Sequence, residues 1–212
     1  MAKKPEIRPP KEHYYGKYDS VERFSSYFTQ ISTIRRLNPE KILEIGIGNK
    51  TVSDYLKRAG YGVVTCDIEK ELGPDVVADI RQLPFEDDFA DVVTAFEVLE
   101  HIPYETVAKA LSELHRVSKR HVVVSLPYHA LSIELALFGG LGVTWWRSGF
   151  LLRIPPFFRK NPVPWGEHYW EIGRDGFPLK KVRALFEKKF RILKETRPVG
   201  NAYHYFFVLE KK

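Results

Sequence analysis

Cysteine is almost missing from this 212-residue chain. Cys66 stands alone, so no disulfide can form within it, and the composition fits a reducing, cytoplasmic compartment. A long uncharged apolar run is missing too: the nearest approach, Leu131 to Leu152, is broken by Glu134 and Arg147 and holds several glycines, which argues against a membrane span. The opening residues, MAKKPEIRPPKEHYYG, are basic but lack the apolar centre of a signal peptide. No internal repeat and no low-complexity tract is present, which sets aside solenoids and disordered linkers.

What is present is the balance of a soluble globular domain, 44% hydrophobic and 28% charged. The net charge of +6 leaves nucleic acid open as a partner. The basic residues are scattered among acids, however. Pairs such as Arg35-Arg36, Lys180-Lys181 and Lys188-Lys189 read as solvated helix faces, so there is no strong nucleic-acid signal.

Residues 1–38 form an N-terminal extension and helix. The helix is expected from Asp19 to Leu37, where Val21, Phe24, Phe28, Ile31 and Ile34 recur at helical spacing, with Asp19 or Ser20 as N-cap and Asn38-Pro39 as its stop. Residues 39–212 then alternate Val/Ile-rich strands with amphipathic helices, ending in a helix at PLKKVRALFEKKF and two closing strands. Strands apolar on both faces belong to a sheet covered on both sides. The fold class is therefore α/β, a doubly wound and mostly parallel sheet. An aromatic, proline-broken insertion at about 128–177 interrupts it.

Residues 42–51, ILEIGIGNKT, place Gly46 and Gly48 just past the first strand, where ligands bind in such sheets. Glycine lets a ligand touch the backbone, and the helix that follows offers unpaired N–H groups. A dinucleotide fingerprint would need a third glycine where Thr51 stands, and a Walker-type loop would need a longer glycine-spaced turn. A small carboxylate is a better guest than a pyrophosphate. Asp67 ends the next strand, where an ionised carboxylate can accept from ribose hydroxyls, and Asp79-Ile80 follows, with an acid for an adenine amino group and an apolar side chain for its ring.

The ordered set E44-I-G46-I-G48, Asp67, D79-I-R-Q-L-P-F85, F96-E-V-L-E-H-I102 and SLP at 125–127 resembles class I S-adenosylmethionine-dependent methyltransferases, especially the broad type 11 group. The resemblance implies a seven-stranded sheet with its last strand antiparallel and S-adenosylmethionine as cofactor. It implies that Glu44, Gly46 and Gly48 hold the methionine end, Asp67 and Ile68 the ribose, Asp79 and Ile80 the adenine, and that Phe96 and Glu97 line the floor near the sulfonium. The family often has a third glycine where this chain has Lys50. The turn can still form provided neither Asn49 nor Lys50 must hold a positive φ.

Methyl transfer from a sulfonium is an in-line displacement in which positioning does most of the work, and a base is needed only for a protonated nucleophile. Substrate contacts are expected from Tyr128 and His129 and from H168-Y-W-E171, with Tyr169 and Trp170 beside the substrate, His168 taking a proton and Glu171 orienting it. The bland alternative has His168 on a loop carbonyl and Tyr169 and Trp170 as lid core. His101 reads as a cap or packing residue and Glu100 as a loop-end acid; Tyr14, Tyr15 and Tyr18 could cover a cation. No metal is expected. The insertion's Trp145, Trp146, Phe150, Leu151, Leu152, Phe157 and Phe158 are too apolar to be left wet. A lid, a dimer contact and a lipid-touching interfacial helix are its three uses, in that order, so monomer and homodimer both stay open. The expected function is methyl transfer to a small molecule; the alternatives are an RNA or protein acceptor, or cofactor binding without catalysis.

Overall fold

A computed structural model of the chain describes residues 19–129 and 168–212, together with the backbone of two strands at 133–139 and 148–154. Helix α1 (Val21–Arg36) starts where Ser20 Oγ accepts from the Arg23 N–H at 3.3 Å, and the chain leaves it through Asn38 at φ 49° ahead of Pro39. Then follow β1 (Lys41–Ile45), α2 (Thr51–Arg58), β2 (Gly62–Asp67), β3 (Val76–Val77), β4 (Ala90–Phe96), α3 (Tyr104–Val117) and β5 (Ser118–Pro127). A separate antiparallel pair, β6 (Ile133–Gly139) and β7 (Ser148–Ile154), precedes α4 (Leu179–Phe186), β8 (Phe190–Thr196) and β9 (His204–Lys211).

The main sheet runs β3-β2-β1-β4-β5-β9-β8. The first five of these strands pair in parallel, and β9 runs antiparallel to both β5 and β8. This is the doubly wound, seven-stranded arrangement expected. The order reverses between β1 and β4, so a crevice opens beyond their carboxyl ends.

Alternate side chains of each strand feed two cores. Ile42, Val92, Val123 and Phe206 pack with Ile34 of α1 and with Val52 and Leu56 of α2. Leu43, Val93, Val122, Val124 and Phe207 pack on the other face with α3 and with Val182 and Phe186 of α4. At about 25 cal/mol per Å² of apolar area removed from water, these two layers supply most of the driving force for the fold.

Helix α1 is the exception to this economy. Three members of its apolar stripe face outward, Val21 at 84%, Phe24 at 55% and Phe28 at 72% exposure, while its buried face carries Ser26, Tyr27, Gln30 and Ile34. The apolar spacing marked the helix, and of its five positions Ile34 is buried and Ile31 packs against the core, while the other three lie outside.

Two corrections concern the insertion. Residues 168–177 belong to the core rather than to it: Trp170 and Ile172 are fully buried, and the Trp170 indole N–H donates to the Leu99 carbonyl at 3.0 Å. The chain also returns to its point of departure, since the His129 N–H donates to the Ile172 carbonyl at 2.7 Å and the Ile172 N–H to the Pro127 carbonyl at 3.0 Å. The segment that contains Phe150, Leu151 and Leu152 is β7, so over 133–139 and 148–154 an interfacial helix is excluded. Tyr14, Tyr15, Tyr18, Trp145, Trp146, Phe157 and Phe158 lie outside the described residues. Among those described, no helix is long and apolar enough to cross a membrane.

Candidate active site

The crevice contains a cavity of about 260 Å³ walled by the ends of β1, β2 and β4, by α1 and by the start of β9, with an adjoining one of about 110 Å³ toward Asp79. Gly46, Asp67, Ile68, Val98 and His101 line both, which makes them two compartments of one cleft.

The loop after β1 explains its own glycines. Gly46 has φ +78°, and a Cβ there would lie 2.3 Å from Val98 Cγ2, so the loop from β4 closes directly over it. Gly48 has φ +50°. Lys50 fails the condition set for it: it holds φ +64° immediately before α2, the left-handed conformation in which a side chain costs about 1–2 kcal/mol. Its Nζ donates to the Gly73 carbonyl at 2.6 Å, an exposed bond that partly offsets the strain.

Glu44 sits at the cleft's closed end, 4% exposed, with Oε2 buried and without a hydrogen-bond partner. Burial pushes its carboxyl up to about 8, against the weaker opposing pull of the Ser53 hydroxyl and the Lys57 charge. Asp67 is engaged before any ligand arrives: Oδ2 accepts from the Ile47 N–H and Oδ1 from the Glu69 N–H, each at 2.8 Å. Burial raises its titration and those two N–H groups counter it. A carboxylate has about four lone-pair sites, so two remain for a ligand. Asp79 accepts from Arg81 through both oxygens, at 2.9 and 3.0 Å from Nε, and the guanidinium holds it below the usual carboxylate range. Ile68 and Ile80 supply apolar walls, and Phe96 packs on Phe206 beneath the larger compartment.

The other half of the cleft is crowded with titratable groups. Glu97 follows β4 at φ +54°, a strained conformation for a non-glycine residue and one that recurs at functional sites. Its Oε1 is buried without a hydrogen-bond partner, and its Oε2 lies 3.6 Å from His204 Nε2. Glu100 is wholly buried with neither oxygen partnered, and burial, then the charge of Glu97, holds it well above the usual range. His204 is kept neutral by burial and has Ser26 Oγ 2.5 Å from Nδ1.

His168 Nδ1 lies 2.8 Å from Glu171 Oε1, while the Arg174 Nε donates to Oε2 at 2.9 Å and the Tyr203 hydroxyl to Oε1 at 3.1 Å. Burial would raise Glu171, but His168 and Arg174 outweigh it and bring the carboxyl down to about 2, so it is an anion. His168 itself lines the cavity and stacks edge-on to His101 at 4.9 Å.

Not every expected residue reaches the cleft. Trp170 is in the core, edge-on to Tyr104, and is no part of the cavity wall. Tyr169 packs against the same core while its N–H donates to the Glu100 carbonyl. Tyr128 is covered by the Arg197 guanidinium at 4.0 Å, and His129 Nδ1 lies 3.8 Å from Glu171 Oε2, so the two flank the cleft from outside its walls. In their place are residues that went unnoticed: Arg23, Tyr27 and Gln30 of α1, Val98, Tyr203 and His204. The spacing Glu97-x-x-Glu100-His101, three ionisable side chains within one turn of a strand end, was a usable signal for two more; nothing in the sequence marked His204.

A nucleotide-type crevice at the strand reversal, a glycine-built loop after β1 and an acid ending β2 define a class I methyltransferase fold. Residues 43–126 match a family model described as a methyltransferase domain. Demethylmenaquinone methyltransferase of Streptomyces avermitilis is 37% identical over 92 residues, covering 38% of this chain and 38% of the relative, so the match spans well under half of that curated protein. Among solved structures, the PH0226 protein of Pyrococcus horikoshii OT3 superposes with a TM-score of 0.61 at 18% identity, over 94% of this chain and 96% of that one. Magnesium protoporphyrin IX methyltransferase of Synechocystis PCC 6803, crystallised with bound S-adenosylmethionine, gives 0.59 at 14% identity, over 95% and 89%. At such identities these likenesses establish the fold.

Proposed function

We propose that this chain is an S-adenosylmethionine-dependent methyltransferase acting on a small molecule. The observation that carries the reading is the orphaned Glu44 Oε2 beneath a loop thinned to glycine, in a cleft that also offers spare lone pairs on Asp67 and apolar walls at Ile68 and Ile80. An ammonium group fits Glu44, ribose hydroxyls fit Asp67, and a flat apolar ring fits the compartment beside Asp79; the residues present therefore suit the cofactor. When bound, S-adenosylmethionine supplies a methyl carbon with its leaving group already attached.

The chain's own part is to bind, orient and exclude water. Gly46 and Gly48 admit the amino-acid tail, and Phe96 and Glu97 floor the larger compartment, where the acceptor meets the methyl. An acceptor that arrives protonated gives its proton to His168, whose ring Glu171 holds in one orientation. The insertion closes over the acceptor, with Tyr128 and His129 at its root.

Charge favours a small acceptor over RNA. Asp67 and Glu97 line the larger compartment beside Arg23, its arginine, while burial holds Glu44 and Glu100 toward the protonated form, so the cleft offers little cationic surface to a polyphosphate. A lone buried cysteine suits the cytoplasm, and monomer and homodimer both remain compatible with this reading.

Two measurements test this. Calorimetry should show S-adenosylhomocysteine binding and no NADH binding; the reverse result removes the cofactor assignment. Incubation with methyl-labelled cofactor and a cell extract should then label a small molecule by mass spectrometry. Cofactor binding with no labelled product in any fraction would leave a non-catalytic binder.

A further inference from the structure

Glu100, His101 and His168 each present one ligand atom within 4.8 Å of the others, all on the wall of the larger compartment. From this geometry we propose that the cleft holds a divalent transition-metal cation, bound by the Glu100 carboxylate and the His101 and His168 imidazoles, with positions left open toward the cavity. The inference goes beyond the methyltransferase reading and shares the cleft and His168 with it.

The distances suit coordination. Bonds of about 2.0–2.2 Å to a shared cation put ligand atoms roughly 3–4.4 Å apart, so small side-chain rotations close the set. One ligand, His168, is also held from behind. His168 has Nδ1 on the anionic Glu171, which Arg174 and Tyr203 fix in turn. A carboxylate behind a ligating histidine is how proteins set the ring's tautomer and direction.

Glu100 provides an independent reason. Both of its oxygens are buried with no hydrogen-bond partner, beside Glu97, whose Oε1 is in the same condition. Native structures seldom leave such groups unpaired, and each needs a proton, a water or an ion to explain it. A dication meets two needs at once: it satisfies Glu100 and removes the repulsion between two buried acids. The pairing of two imidazoles with one carboxylate suits zinc, cobalt, manganese or iron(II), whereas magnesium and calcium favour all-oxygen shells. In the loaded protein His168 is a ligand, and the proton-accepting duty proposed above applies to the metal-free chain.

The test uses the full chain, stripped with chelator and titrated with Co2+. One cobalt per chain should bind, with visible ligand-field bands. Affinity should fall at least tenfold in His101→Gln, His168→Gln and Glu100→Gln, each checked for folding by circular dichroism. Absence of bands in the wild-type chain at excess cobalt overturns the site, as does undiminished binding in the folded variants. S-adenosylhomocysteine calorimetry on the same samples keeps the two readings apart. Cofactor bound without cobalt refutes the metal site alone, and cobalt bound without cofactor refutes the cofactor reading alone.

Discussion

The two halves of the cleft are built on opposite plans. The half around Glu44, Gly46, Asp67 and Asp79 uses consecutive strand ends and backbone groups, so each contributor lies within a short motif. The half around Glu100 and His204 draws on α1, the turn after β4, the segment at 168–171 and the start of β9, and it concentrates buried charge. A site made from one continuous βαβ run can be read locally. A site assembled from four distant segments exists only after the sheet has formed.

Excising residues 130–167 and joining 129 to 168 by a short glycine linker would break this comparison most severely. The junction is tolerable because residues 127–129 already bond to Ile172. Turnover on the true acceptor should drop below detection while S-adenosylhomocysteine affinity stays within about twofold; retained turnover would remove the lid role.

Next in size is Asp67→Ala. The acid clamps the Ile47 and Glu69 N–H groups as well as facing a ligand, so the variant should lose affinity and also melt earlier, by about 1–3 kcal/mol. Asp79→Ala removes a partly exposed pair with Arg81 and the bond from that residue's own N–H, both within one turn, so it should weaken binding with a smaller change in the melt than Asp67→Ala. Equal melts for the two variants would contradict the clamp.

Glu44 sharpens the comparison through pH. Its folded carboxyl titrates at about 8 against an ordinary 4.5, so the folded chain holds an extra proton between those values. Stability of the ligand-free protein should therefore fall as pH rises through that window, and Glu44→Gln should flatten the fall. An ammonium that pairs with Glu44 ionises it, so binding at about pH 6.5 should release a proton in wild type and none in the variant, as read by calorimetry in buffers of different ionisation enthalpy.

The smallest effect belongs to Lys50→Gly. Relief of the left-handed strain, set against loss of the exposed bond to Gly73, should stabilise by no more than about 1 kcal/mol in a denaturant melt.

The same division decides what could be read in advance. The sheet and the placing of Gly46, Asp67, Asp79 and Ile80 on the cleft followed from hydrophobic patterning and strand-end chemistry, while the antiparallel last strand and Ile68 came with the family resemblance. The packing face of helix α1 did not follow: periodicity reports a helix but not its neighbour, and a helix beside a polar cavity turns its polar face inward. Trp170 and Tyr169 were placed with the substrate because aromatic density looks alike in a lid and in a core. His204 was invisible because its role comes from the sheet carrying β9 back beside α1.

The Ile172–Pro127 and His129–Ile172 hydrogen bonds have an evolutionary corollary. Because departure and return share one seam at the end of β5, the chain between them can lengthen or shorten without altering the strand order of the main sheet.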